Sequence, residues 1–186
     1  MNSFPQKLSR PTKLLHWLIA LGMIGLLLLG WYMAEYQVFS LYDWHKSLGV
    51  VLFVIAVMRI AWRLKEGWPD AVSDSPKLQR VVARATHWVL IICTAAMPIS
   101  GMVSSGYSGY GFGLFGLAIV PTSTPIMENG EFKGMTPFDA DLAALGHDIH
   151  EIGMWVMAVV IILHVLAAMK HHLLDRDATL RRMLRT

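Results

Sequence analysis

Four long apolar runs, set apart by short polar or basic stretches, organise this chain. They cover roughly residues 14–35, 45–64, 82–103 and 143–168, and each approaches the about 20 apolar residues that a helix needs to cross a bilayer. Between the second and third runs, residues 66–77 hold Pro69, Asp70, Ser73, Asp74, Ser75 and Pro76, a polar connector of turn-forming residues. The longest connection runs from about Ser104 to Leu142. Its first half, to Pro121, is rich in aromatics and glycine and too broken for a fifth span. It predicts an interfacial segment with Tyr107, Tyr110, Phe112 and Phe115 at headgroup level; the alternative is a cap over a bound group or a lipid-soluble substrate. The whole pattern predicts an all-α fold, an integral membrane four-helix bundle forming a single membrane domain over residues 1–186.

Composition agrees with a membrane solvent. Of the 186 residues 55% are hydrophobic and 16% charged, and a mean hydropathy of +0.48 is too apolar for an ordinary soluble domain. Charge then orients the bundle. Of the 16 lysines and arginines, all but Lys46 and Lys133 lie before the first run, around the second connection, or after the fourth run. That bias predicts a multi-pass protein with both termini and the 65–81 loop in the cytoplasm. Topology also accounts for the pI of 9.1, so no nucleic-acid partner is implied. The N-terminal run, preceded by Lys7, Arg10 and Lys13, is longer than a signal-peptide core and has no clear A-x-A site, so it reads as a retained helix. The single cysteine, Cys93, excludes a disulfide framework and a C-x-x-C-H site for covalent haem.

The histidines carry the chemistry. His150 and His164 stand fourteen residues apart, about 21 Å of helical rise and nearly four whole turns, so both imidazoles share one face at opposite depths. For one histidine in a span, an interhelical hydrogen bond is the plainer account. Here five fall at matched depths. His16, His87 and His164 lie near the inner ends of their helices, whereas His45 and His150 lie near the outer ends. Two levels of imidazole suit two stacked haems, each needing axial ligands from opposite faces, and the missing C-x-x-C-H makes them b-type. The outer level offers the pair His45 and His150; the inner level offers three candidates, and spacing does not choose among them. Fourteen residues after His16 and His87 come Gly30 and Gly101, small residues at outer depth. Fourteen after His45 comes Arg59, an intramembrane guanidinium suited to a haem propionate or else snorkelling to the headgroups. Gly49 and Gly153 leave room for porphyrin edges or serve helix packing.

The remaining histidines have plainer readings. His171 and His172 follow Lys170 at a helix end, where imidazole is comfortable in water. His147, Asp148, His150 and Glu151 form a weak candidate for a small metal site. No H-E-x-x-H, Walker A, G-x-S-x-G or G-x-G-x-x-G motif occurs in a suitable context, so nothing supports a hydrolase or a nucleotide enzyme.

Leu15-His-Trp-Leu, Trp44-His-Lys-Ser-Leu-Gly, Met97-Pro-Ile-Ser-Gly, His150-Glu with His164 fourteen on, and Lys170-His-His together resemble the prokaryotic cytochrome b561 family over nearly the whole chain. The resemblance implies a bacterial inner membrane cytochrome with two b haems per chain held between four helices. It assigns His16 and His164 to the inner haem and His45 and His150 to the outer one. His87 is then left beside the inner haem or a quinone. The implied function is quinone-linked electron transport as an oxidoreductase, with ubiquinone as substrate and superoxide as a candidate donor. The alternative is a haem b anchor for a dehydrogenase subunit, since similar cytochromes serve hydrogenases and formate dehydrogenases. A non-haem transporter ranks last. The expected partners are therefore membrane lipid, quinone, and either a small redox donor or a dehydrogenase subunit. Charge does not by itself favour superoxide, because outer carboxylates outnumber Lys46 and Lys133 and repel an anion on average.

Overall fold

The computed structural model describes residues 8–67 and 76–184; Lys7, Arg185 and the stretch from Pro69 to Ser75 lie outside the described residues. Four long helices dominate: α1 (Arg10–Glu35), α2 (Tyr42–Glu66), α3 (Lys77–Tyr107) and α4 (Ala140–Leu173). All four are long and apolar enough to cross a membrane. Local chemistry sets their ends. Ser9 Oγ accepts from the Thr12 N–H at 3.3 Å to start α1, with Pro11 in the first turn where its missing N–H costs nothing. Asp139 Oδ1 accepts from the Asp141 and Leu142 N–H groups, both at 3.0 Å, to start α4. Gly67, at φ 76°, ends α2.

The helices pack as two pairs, α1 along α2 and α3 along α4, joined mainly where α2 meets α3. α1 and α4 hardly meet. The buried core is a thin layer rather than a column: Ile19 and Met23 from α1, Leu52 and Ala56 from α2, Met97 from α3 and Met157 from α4. Met23, Leu52, Thr94 and Met157 each lie seven residues after a histidine, about two turns along the same helix face, so the core sits midway between the two histidine levels. Most other large apolar side chains are exposed, as a lipid-facing surface requires.

The connection from α3 to α4 is more ordered than an interfacial coil. It forms two antiparallel hairpins: β1 (Phe112–Leu114) with β2 (Leu117–Val120), and β3 (Pro125–Glu128) with β4 (Glu131–Met135). Their tips are Phe115-Gly116 and Asn129-Gly130, all four residues at positive φ, the backbone that a two-residue hairpin demands. The first hairpin is pinned to α2. Ser47 Oγ accepts from the Phe115 N–H at 3.0 Å, Lys46 Nζ donates to the Gly111 carbonyl at 3.0 Å, and Trp44 packs against Phe115 at 5.6 Å between ring centres. At the other end, a short helix α5 (Arg181–Leu184) folds back so that Trp17 Nε1 donates to the Met183 carbonyl at 3.1 Å.

Candidate functional site

The five span histidines gather into two groups, one at each end of the bundle. At the hairpin end, His45 of α2 and His150 of α4 have ring centres 6.2 Å apart. At the opposite end, His16 of α1 and His164 of α4 stand at 6.4 Å, and His87 of α3 lies 5.4 Å from His164. Two imidazoles sharing one iron, with nitrogen to metal distances of about 2 Å, have ring centres roughly 6.3 Å apart. Both cross-bundle pairs fit that spacing, and the pair of His87 and His164 is too close for it. His16 and His164 are half-buried, whereas His87 is exposed.

The hairpin-end pair borders a cavity of about 600 Å³, within the range that encloses a large cofactor. Its walls include His45, Lys46, Gly49, Gly101, Tyr110 and His150. The His45 Nδ1 atom is buried without a hydrogen-bond partner among the described residues, so no group of the protein fixes that ring. His150 Nδ1 instead lies 2.8 Å from the Met97 carbonyl and 3.2 Å from Ser100 Oγ. The glycines fourteen residues beyond His16 and His87 meet these rings. A Cβ at Gly30 would stand 3.0 Å from His45 Cε1, and one at Gly101 would stand 3.0 Å from His150 Cε1. Gly49 faces the cavity, as expected for porphyrin room. Gly153 does not open onto it, because the Met97 sulfur fills the space beside it, 2.7 Å from where a Cβ would sit. That glycine serves helix packing.

At the opposite end, Arg59 is half-buried within electrostatic reach of His16, His87 and His164. Below them, the turn after α4 closes as a clasp. His171 Nδ1 lies 2.8 Å from Asp177 Oδ2, Lys170 Nζ pairs with Asp175 at 2.7 Å, and the Thr179 N–H donates to Asp177 at 2.8 Å. Partial burial alone would raise the Asp177 carboxyl, but hydrogen bonds from the Thr179 N–H and hydroxyl and from His171 hold it below the usual carboxylate range. Nothing in the spacing of His171 singled out this clasp, because its partners come from a return loop. His172 Nδ1 is buried without a partner among the described residues. The His147, Asp148, His150 and Glu151 group does not converge; His147 reaches only Glu151, at 3.8 Å, and both are exposed. Ser100 touches His150, a contact that neither spacing nor periodicity predicts. Its one signal was a hydroxyl inside an apolar run beside a glycine.

Comparison with known proteins points to a single family. The sequence pattern described as prokaryotic cytochrome b561 matches residues 7–186. The chain is 32% identical to cytochrome b561 homolog 2 of Escherichia coli (strain K12) over 177 residues, 91% of this chain and 86% of that protein. It is 28% identical to cytochrome b561 homolog 1 of the same organism over 189 residues, covering 99% of this chain and 98% of that protein. It is also 29% identical to a protein of Yersinia pestis named probable superoxide oxidase CybB, over 91% of each chain.

Proposed function

Because this chain belongs to the prokaryotic cytochrome b561 family, a group of multi-pass membrane electron-transfer proteins that implies b-type haem, we propose that it carries two such haems and moves electrons between a small soluble donor and ubiquinone. His45 and His150 hold one haem and His16 and His164 the other. The observation that carries this reading is the pair of cross-bundle imidazole separations, 6.2 and 6.4 Å, one at each end of the same four helices. Bound there, haem supplies one-electron redox chemistry, and the chain supplies orientation and electrostatics.

Each residue then has a task. The four ligand histidines hold their rings on rigid helices, so neither end must rearrange on redox change. Arg59 sets a fixed positive charge beside the inner pair, where it would hold an anionic group of the cofactor such as a propionate. Lys46, anchored to a carbonyl rather than to a carboxylate, gives the wall of the outer cavity a cation, while Lys133 is occupied by Glu131 at 2.7 Å. That cation supports a small anionic donor despite the acidic surroundings, and superoxide is the first to try, given the relative named for it. The basic residues at the opposite end favour cytoplasmic termini in a bacterial inner membrane, the whole chain forming one membrane domain.

The test is to quantify haem on purified protein and then follow its reduction. Two non-covalent b haems per chain are expected, falling to one when His45 or His150 is replaced by Ala, and likewise for His16 or His164, while His87→Ala keeps both. Superoxide should reduce the haems and a short-chain ubiquinone should reoxidise them. A ratio near one overturns the stacked pair. Loss of haem on changing His87 with retention on changing His16 overturns the inner ligands. Inertness toward superoxide, with co-purification of a large dehydrogenase subunit, makes the protein an anchor instead.

A further inference from the structure

The Met97-Pro98-Ile99-Ser100-Gly101 stretch of α3 grips α4 at three successive turns. Gly146 lets α4 come so close that a Cβ there would stand 2.6 Å from the Ser104 nitrogen and 3.0 Å from the Ser100 carbonyl oxygen. One turn on, His150 meets the Met97 carbonyl, Ser100 Oγ and the bare face of Gly101. Another turn on, Gly153 receives the Met97 side chain. Ser100 is buried, at 4% exposure, and its hydroxyl donates to the same Met97 carbonyl at 3.0 Å.

A carbonyl only accepts, so its 2.8 Å contact requires that His150 Nδ1 carry the hydrogen. The other ring nitrogen, Nε2, is then bare and available to a metal. With its own hydrogen directed at Met97, Ser100 turns a lone pair toward Nδ1 at 3.2 Å, so the Nδ1–H is shared between two acceptors. His45, across the same cavity, has no such partner for its Nδ1.

We propose that Ser100 is a positioning residue for His150, fixing its tautomer and ring plane and enriching its donor nitrogen through the shared Nδ1–H hydrogen bond. The inference rests on the reading of His150 as a haem ligand. It makes the two outer ligands unequal: His150 is the tethered, stronger donor, and His45 the free one. Acceptors at Nδ1–H raise the basicity of Nε2 and favour the oxidised metal. Removing one therefore raises the reduction potential of the outer haem and leaves the inner haem alone.

The experiment is redox titration with low-spin EPR on purified haem-loaded Ser100→Ala, Ser100→Thr and His150→Ala proteins. The expected result is an upward shift of one of two midpoints in Ser100→Ala with an altered EPR signal from that haem, the other midpoint unmoved, and recovery in Ser100→Thr. If Ser100→Ala does not fold, Ser100→Cys takes its place, since it leaves no cavity and offers only a weak hydrogen bond. An unmoved or lowered midpoint, or equal shifts of both, overturns the inference. His150→Ala separates this failure from the larger one: retention of both haems would remove His150 as a ligand, whereas loss of one haem with an unmoved Ser100→Ala midpoint would sink the Ser100 role alone.

Discussion

Gly101→Ala should weaken the outer haem site, although alanine is the better helix former. The new methyl carbon would lie 3.0 Å from His150 Cε1 and 3.2 Å from Nδ1. Ordinary carbon contacts begin near about 3.5 Å, so the ring must retreat by roughly half an ångström. It is not free to do so, because Nδ1 is bonded at 2.8 Å to the Met97 carbonyl, and retreat stretches that bond. Overpacking costs about 1–3 kcal/mol and a weakened hydrogen bond about 1 kcal/mol, while replacing glycine in a helix returns about 1 kcal/mol. The net loss of about 1–3 kcal/mol corresponds to roughly 5- to 150-fold weaker retention of the group that His150 holds. Gly30→Ala meets the same 3.0 Å contact at His45, but that ring has no Nδ1 tether and can turn aside, so its loss should be smaller. Gly25 has nothing within 4 Å of an added Cβ, which makes Gly25→Ala the control: equal or better stability and no change at either haem. The assay is the rate of haem transfer to excess apomyoglobin, resolved by absorbance into the two sites. Retention in Gly101→Ala equal to that of the unmodified protein, or a larger loss in Gly30→Ala than in Gly101→Ala, would refute the reasoning.

Arg59→Leu should lower the reduction potential of the inner haem in a redox titration, since a nearby positive charge stabilises the less positive reduced iron; an unchanged potential returns Arg59 to the headgroups. A reporter fused to the C-terminus should be active only in the cytoplasm and one inserted at Asn129 only outside, and the reverse pattern would invert the orientation. Because Asp177 titrates below its ordinary value of about 4, its contribution to the clasp is present above that pH and is lost as the pH falls through the lower native value. Protease access to the Arg181–Leu184 segment should therefore rise only in acid below about pH 4, whereas Asp177→Ala should be cleaved already at neutral pH. Matching cleavage profiles for the two proteins would show that the clasp holds nothing.

The four helices were legible because apolar runs and turn residues act locally, and the two histidine levels because a 3.6-residue period converts spacing into depth. Gly30 and Gly101 followed from the same arithmetic, and their bare faces do lie against His45 and His150. The hairpins were written in the chain too. Glu128-Asn-Gly-Glu131 is a strong two-residue turn signal for the second, whereas the first lies in the aromatic, glycine-rich half up to Pro121, which reads as an interfacial segment. What periodicity could not supply was partners from different elements. Gly153 faces Met97 rather than the cavity, Ser100 touches His150, and Trp17 meets Met183 across 166 residues of chain. Each depends on how two elements are rotated against each other, which no single helix encodes.

That dependence explains why the core is a layer. On the proposed reading a large planar group would sit at each end and keep the bundle from closing tightly there, and α1 and α4, whose His16 and His164 face each other at 6.4 Å, do scarcely touch. The burial that keeps the helices in register must therefore lie between the two levels, where Met23, Leu52, Thr94 and Met157 sit seven residues beyond their helix's histidine. Met157, at 1% exposure, is equidistant in sequence from His150 and His164, so one packed position fixes the depth of both α4 rings at once. Three of these four side chains are apolar, and two are methionines, whose flexible thioethers fill an irregular gap without needing hydrogen-bond partners. The fourteen-residue spacing is thus two sevens: a histidine, a packed residue that locks the helix, and a second histidine on the same face, the arrangement that two stacked haems would need.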